Sequence, residues 1–247
     1  MKKKIYLQCP GKFADVLPIF CSEALKHDIF DGIEIATDAK LSRLDSRVSV
    51  SLLPKDMQFS SNILFLLSRT DEPIFLLCCE DHIMLDSHSV SDFEDAFKFV
   101  SSNPEVGFLR LAPNSRVEFS SESKFTGKYR ELKRQYRYFI SLQPAIWRRE
   151  FLMEVLKAGE DAWQMELAGS KRARKSSRFT SCCTVETVYK ATNFYKEGKY
   201  LRHQFVDYCL DNGITLSRNP GLVFVKKDGR KEVISYDKYV AERKAGK

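Results

Sequence analysis

The sequence predicts an α/β protein with a mainly parallel central sheet flanked by helices and a more helical C-terminal half. Short apolar runs alternate with amphipathic ones through the first 115 residues, and the order strand, helix, strand recurs there three times. After that point the texture changes to a Pro-interrupted extended run and longer helical stretches. A strand, a helix and a second strand in succession are the sequence form of a crossover connection, and repeated crossovers build parallel sheets covered by helices.

Lys4–Cys9 reads as the first strand, Pro10-Gly11-Lys12 as a turn, and Ala14–Lys26 as a helix with Val16, Leu17, Phe20 and Leu25 on one face. Gly32–Ala36 is a second strand that ends at Thr37-Asp38. Val48–Leu53 precedes a helix over Phe59–Ser68, and Pro73 introduces the strand Ile74–Cys79. Ser91–Ser101 carries helical periodicity through Phe93, Phe97 and Val100, with Ser89 or Ser91 as its cap. Asn103-Pro104 stops that helix, and Val106–Leu111 is the next strand.

In the second half Phe139–Trp147 is extended, Arg149–Lys157 a short amphipathic helix, and Gly159–Ser170 a loop entering a helix. Lys171–Arg178 ("KRARKSSR") reads as a polar basic loop. Val185–Tyr195 and Leu201–Asn212 read as helices separated by Glu197-Gly198-Lys199, and Leu222–Tyr236 as a hairpin turning at Lys227-Asp228-Gly229-Arg230. There is no internal repeat, and the last few residues read as a tail.

The chain of 247 residues can bury a substantial core, and its 43% hydrophobic and 30% charged composition is that of a globular protein. No apolar stretch reaches membrane-spanning length, and Met1-Lys2-Lys3-Lys4 precedes a run too brief for a signal-peptide core. A cytoplasmic protein without integral membrane association is therefore expected. The seven cysteines lie mostly in apolar segments without a CxxC pair, so buried free thiols are expected of them. A net charge of +7 favours anionic partners.

The most informative stretch is "FLLCCEDHIML", residues 75–85, where a buried-looking run ends in adjacent acids and a histidine. Adjacent carboxylates repel and resist burial, so a strand end holding them calls for a cation, a helix N-terminus or solvent. Mg²⁺ or Mn²⁺ held by one or two carboxylates plus substrate phosphates satisfies that demand; opening a loop and capping the next helix satisfies it too. Lys12, Arg69 and the basic stretch containing Arg172 can line a diphosphate site or simply decorate a surface. Trp163 and Glu166 stand three apart, on one face if their segment is helical. An aromatic platform beside a carboxylate suits a hydroxylated acceptor, and a core tryptophan with a surface glutamate is the alternative.

A strand ending in "EDH", then "VGFLRL", "SLQPAIWRREFLMEVL" and "GEDAWQMELAGS" together resemble small GT-A type glycosyltransferases of bacteria and bacteriophages. The resemblance runs from about Lys4 to Ile214, with the last two blocks the most specific. It implies a Rossmann-like, nucleotide-diphosphosugar transferase fold in a single domain spanning 1–247. Residues 1–115 would bind the nucleotide sugar, 116–214 the acceptor, and 215–247 form an extension. By the same resemblance Asp81, with Glu80, holds the metal that bridges the donor phosphates, and Thr37-Asp38 lie near the nucleotide. Glu166 becomes the base of an inverting transfer, and Trp163 shapes the acceptor pocket. Glu80-Asp81-His82 departs from the commoner Asp-x-Asp pattern and puts His82 in the place of a second ligand, while His203 offers a further one. UDP is the expected nucleotide by family analogy.

Positive charge interleaved with aromatics at Tyr129-Arg130, "KRQYRY" (133–138) and "KRARKSSR" suits a polyanionic acceptor. Phage DNA with 5-hydroxymethylated pyrimidines is such an acceptor, its flipped base received by Trp163 or Tyr136. A saccharide, lipid-linked or protein acceptor is the alternative within this chemistry, and a non-catalytic nucleic-acid-binding protein the alternative outside it.

Overall fold

The computed structural model describes residues 2–26, 28–41, 44–84, 89–193, 195–196, 200–213, 222–225 and 231–245. The first half follows the expected order: β1 (Lys4–Gln8), a 3₁₀ turn (Gly11–Val16), α1 (Leu17–Leu25), β2 (Gly32–Thr37), β3 (Val48–Leu52), α2 (Phe59–Leu67) and β4 (Ile74–Cys79). A two-residue strand β5 (His82–Ile83) precedes α3 (Val90–Ser102), whose N-cap Ser89 accepts from the backbone N–H of Asp92. Next come β6 (Val106–Arg110), β7 (Tyr129–Glu131), β8 (Ala145–Arg148), α4 (Arg149–Val155), α5 (Ala162–Ala173) and β9 (Thr180–Thr184). The chain continues through β10 (Thr192–Asn193), β11 (Tyr195–Lys196), β12 (Tyr200–Arg202), α6 (His203–Asp211), β13 (Leu222–Val225), β14 (Lys231–Ile234) and α7 (Tyr236–Lys244).

One eight-stranded sheet, ordered β3-β2-β1-β4-β8-β6-β9-β7, forms the middle layer. The strands β3, β2, β1 and β4 are parallel, as are β6 and β9, whereas β8 and β7 run against their neighbours. Alternation along each strand feeds two separate cores. Ile5, Leu7, Ile33, Ile35, Ile74, Leu76 and Cys78 face one core, with Leu17 and Phe20 of α1 and Phe93, Phe97 and Val100 of α3. Tyr6, Ala36, Phe75 and Leu77 face the other, with Ile63 and Leu66 of α2, Phe151 of α4 and Met165 of α5. A sheet buried on both faces is what the near-continuous apolar runs of β1 and β4 require.

The sequence reading needs correction in the second half. Lys171–Arg178 is not all loop, because Lys171, Arg172 and Ala173 form the last turn of α5. Val185–Tyr195 is not a helix. Its branched Val185, Thr187, Val188 and Thr192 disfavour one, and the backbone N–H groups of Val188 and Tyr189 instead both donate to Leu111 O, at 2.8 and 3.1 Å. The "TSCCT" strand β9 was not foreseen: four of its five residues are buried, so no alternation marks it. β13 and β14 do pair antiparallel as the expected hairpin, but its proposed turn and Glu197-Gly198-Lys199 lie outside the described residues. A helix the sequence did not signal follows the hairpin, α7, whose N-cap Ser235 accepts from Lys238 N.

Candidate active site

Parallel sheets bind ligands beyond the carboxyl ends of their strands, and a cleft of about 570 Å³ opens there. Gln8 at the end of β1, Asp38 just beyond β2, Leu53 just beyond β3 and Cys79-Glu80-Asp81 at and after β4 line it, with Met57–Phe59, Asn62, Asp161 and Ala162 as walls. Lys12 reaches the cleft from the turn after β1. In that turn the Gly11 N–H donates to Asp38 Oδ1 at 2.5 Å. A Cβ at Gly11 would lie 2.8 Å from the same oxygen, so the two loops approach this closely only because the residue is glycine.

The acidic turn divides its side chains. Glu80 is buried, and burial, then the neighbouring Asp81 charge, push its carboxyl up to about 8, against the pull of Lys12. Cys79, Asp81 and His82 lie together instead, with a ligand atom from each within 4.8 Å of the others. The His82 ring is buried, and burial, outweighing Asp81, holds its pKa below the usual range. His82 Nδ1 lies 3.3 Å from Asp81 Oδ1, but the geometry makes no hydrogen bond and leaves Nδ1 buried and unsatisfied. Nε2 meets the Gln143 amide nitrogen at 3.3 Å.

Residues 141–144 reach this turn because β8 is inserted antiparallel between β4 and β6, with Ala145 opposite both Leu77 and Arg110. The backbone entering β8 therefore crosses the ends of its neighbours. Leu142 O accepts from Cys79 Sγ at 3.9 Å, and Leu142 N donates to Glu166 Oε1 at 2.7 Å. Burial raises the pKa of Glu166, while the Leu142 N–H and the Arg110 charge pull it back. Arg110 is itself buried at the end of β6, donating to Tyr138 O and lying over the Tyr136 ring at 5.8 Å. One backbone segment thus joins the "EDH", "SLQP" and "WQME" stretches.

Other expected site residues lie elsewhere. Thr37 is buried, its Oγ1 accepting from Ala39 N within the turn. Arg69 follows α2 and precedes β4, at the sheet end opposite the cleft, with its guanidinium on the Phe65 ring at 4.7 Å. Tyr136 is buried against Arg110 and is no open platform. Trp163 and Glu166 do not project together: the indole is 70% exposed, while Glu166 turns inward to Leu142. Arg172 holds Glu160 through two hydrogen bonds of 2.8 and 2.5 Å and donates to Val155 O, which makes it a helix lock. Arg174 donates to the carbonyls of Gln135 and Tyr136, and Arg178 pairs with Glu150 at 2.6 Å. The His203 side chain lies outside the described residues. Glu80, expected as a ligand, is outside the donor cluster, and Cys79 takes its place there. Cys79 closes β4 directly before the turn that carries Asp81, and a cysteine ending an apolar strand carries no sequence signal of its own.

A carboxylate, a buried imidazole with an unsatisfied nitrogen and a thiol at this spacing fit a divalent cation. No described helix is long and apolar enough to cross a membrane. The sequence matches no family model and no curated protein. Among solved structures, the chain is similar to S. aureus TarS 1-349, at 14% identity and TM-score 0.52 over 78% of this chain and 60% of that one. The same protein in complex with UDP-GlcNAc gives 13% identity and TM-score 0.51 over 79% of this chain and 60% of that one. The mannosyltransferase PcManGT from Pyrobaculum calidifontis, in complex with GDP-Man and Mn²⁺, matches at 10% identity and TM-score 0.53 over 78% and 58%. UTP-bound UGPase from Acinetobacter baumannii matches at 11% identity and TM-score 0.54 over 86% and 94%. The chain thus spans about 60% of the length of TarS 1-349. The eight-stranded mixed sheet, its helical layers and these neighbours together give the chain a GT-A-like α/β fold.

Proposed function

We propose that the protein transfers a sugar from a nucleoside diphosphate sugar, UDP-linked by analogy, to an acceptor hydroxyl with inversion at the anomeric carbon. The observation that carries this reading is the Leu142 bridge, which sets a carboxylate of raised pKa, Glu166, beside a metal-competent turn on the floor of a cleft. TarS with UDP-GlcNAc and PcManGT with GDP-Man and Mn²⁺ support the donor class.

Asp81 and His82 are the residues that would hold a divalent cation, Mn²⁺ or Mg²⁺ in the family pattern. When bound, such a cation offsets the charge of the departing diphosphate. Lys12 adds a fixed positive charge at the same cleft. Asp38 accepts ribose hydroxyls, and the buried, unsatisfied Asn62 Oδ1 accepts from a nucleobase N–H. Neutral Glu80 donates a hydrogen bond where a second carboxylate would repel the phosphates. Glu166, held in place by Leu142 N–H, takes the acceptor proton as the nucleophile forms; its raised pKa brings it nearer the operating pH of a general base. Trp163 supports the acceptor from outside the cleft. The case for a DNA acceptor is weakened because three cations of the basic stretch, Arg172, Arg174 and Arg178, are held by partners within the fold.

The UGPase likeness raises nucleotidyl transfer as a second reading. That chemistry needs backbone N–H groups to cradle a triphosphate, and here the Gly11 N–H is already bound by Asp38.

The test offers UDP- and GDP-sugars with saccharide and hydroxymethylated-DNA acceptors, and reads product anomeric coupling by proton NMR. An inverted product, lost about 100-fold or more in Glu166→Gln with donor binding retained, is expected. A retained configuration, or full turnover by Glu166→Gln, removes Glu166 as base.

A further inference from the structure

The nearest ligand set to the acidic turn is not the oxygen cage a hard cation prefers. Cys79 Sγ, an Asp81 carboxylate oxygen and a His82 ring nitrogen lie within 4.8 Å of one another, while the adjacent Glu80 carboxyl stands apart from them. His82 is 5% exposed, and its Nδ1, 3.3 Å from Asp81 Oδ1, has no hydrogen-bond partner among the described residues. An orphaned buried imidazole nitrogen costs free energy that a bound ion would recover. The Gln143 amide, which can donate or accept, meets Nε2, while Nδ1 lies beside Asp81 Oδ1. Such a partner on the far nitrogen fixes the orientation of metal-bound imidazoles. Among the described residues Cys79 Sγ makes a long contact, 3.9 Å, to Leu142 O.

We propose that Cys79 is a direct metal ligand and that this site selects a thiophilic divalent cation, Zn²⁺ or Co²⁺ in class, over Mg²⁺. Sulfur, nitrogen and oxygen in one set suit zinc-like ions, whereas Mg²⁺ demands oxygen and water. Three protein donors leave a position for a phosphate oxygen, as open zinc sites do. On coordination the Cys79 thiol loses its proton to solvent, and the sulfur lone pair forms the bond. The proposal rests on the reading of this turn as a metal site, and its readout does not depend on transfer.

The full-length protein, stripped of metal, is titrated with Co²⁺ and its near-ultraviolet thiolate-to-cobalt absorption followed. The wild type should give a saturable band that Zn²⁺ displaces and excess Mg²⁺ does not. Cys79→Ser should lose the band, and Gln143→Ala should weaken Co²⁺ binding about 10-fold or more. Circular dichroism confirms that each variant is folded. Should Cys79→Ser not fold, Asp81→Asn, which keeps the sulfur, should retain a band at weakened affinity. No band in the wild type, a band unchanged in Cys79→Ser, or displacement by Mg²⁺ overturns the proposal. Sugar transfer with Mg²⁺ in Cys79→Ser would sink the proposal and leave the transferase reading standing. A cobalt band without nucleotide-sugar binding would do the reverse.

Discussion

The two ends of the same sheet are built on opposite electrostatic terms. At the end where β1 and β4 begin, Lys4 Nζ lies 2.7 Å from both Glu34 and Glu72, and Tyr6 OH donates to Glu72 at 2.5 Å. Each of those carboxylates has a cation, and Glu72 keeps a pKa below the usual range: burial would raise it, but Lys4 and Tyr6 outweigh burial. At the other end Glu80 and Asp81 adjoin, Lys12 is the nearby cation among the described residues that acts on Glu80, and His82 Nδ1 lacks a hydrogen bond. Neutralised charge at one end stabilises the fold, and unbalanced charge at the other is what the proposed cation and diphosphate would complete.

Substituting one acid at each end should separate these roles. Asp81→Ala should lower transfer on the order of 1000-fold, since it removes a ligand of the proposed cation. It should also abolish thermal stabilisation by UDP plus a divalent cation. Without ligand its unfolding free energy should stay the same or rise, because the charge that disfavours ionised Glu80 is gone. A clear loss of ligand-free stability would erase the contrast.

Glu72→Gln should do the opposite, costing about 2 kcal/mol in urea unfolding at pH 7 while leaving transfer intact. The pH dependence has a definite sign. A carboxyl whose folded pKa is depressed contributes stability that is present above its unfolded value and lost as pH falls through the folded one. Wild-type stability should therefore decline as acidification passes below the ordinary carboxyl range, and Glu72→Gln should flatten that limb. An unchanged acid limb would show that the Lys4–Glu72 pair does not hold this end.

The smallest expected effect is at Trp163. With the indole 70% exposed, Trp163→Ala should leave the midpoint of unfolding within the ~0.5 kcal/mol typical of surface changes. Acceptor KM should rise several-fold with donor KM unchanged. Loss of donor affinity instead would place the indole on the nucleotide side.

Strand parity made much of the first half legible. Ile5 and Leu7 against Tyr6, and Leu76 and Cys78 against Phe75 and Leu77, feed two cores in a pattern that a short apolar run already implies. The acidic turn was legible as a candidate site for the same local reason, since adjacent carboxylates after a buried strand need an outside charge. Val185–Tyr195 was misread because its conformation is set by Leu111 O, more than seventy residues earlier, and by Tyr189 OH donating to His82 O. Arg172 and Tyr136 looked available because their partners, Glu160 and Arg110, come from other elements.

By itself the sequence determined the layered α/β architecture and marked the acidic strand end as a candidate site, because periodicity and adjacent charge act over a few residues. Only the tertiary structure decided which atoms share the site. Antiparallel insertion of β8 carries Leu142 and Gln143 across the ends of β4 and β6, and that crossing joins Cys79, His82 and Glu166. Glu80 lies outside the donor cluster it was expected to join. Non-local strand order, unlike side-chain period, is decided by how the two cores close around the sheet.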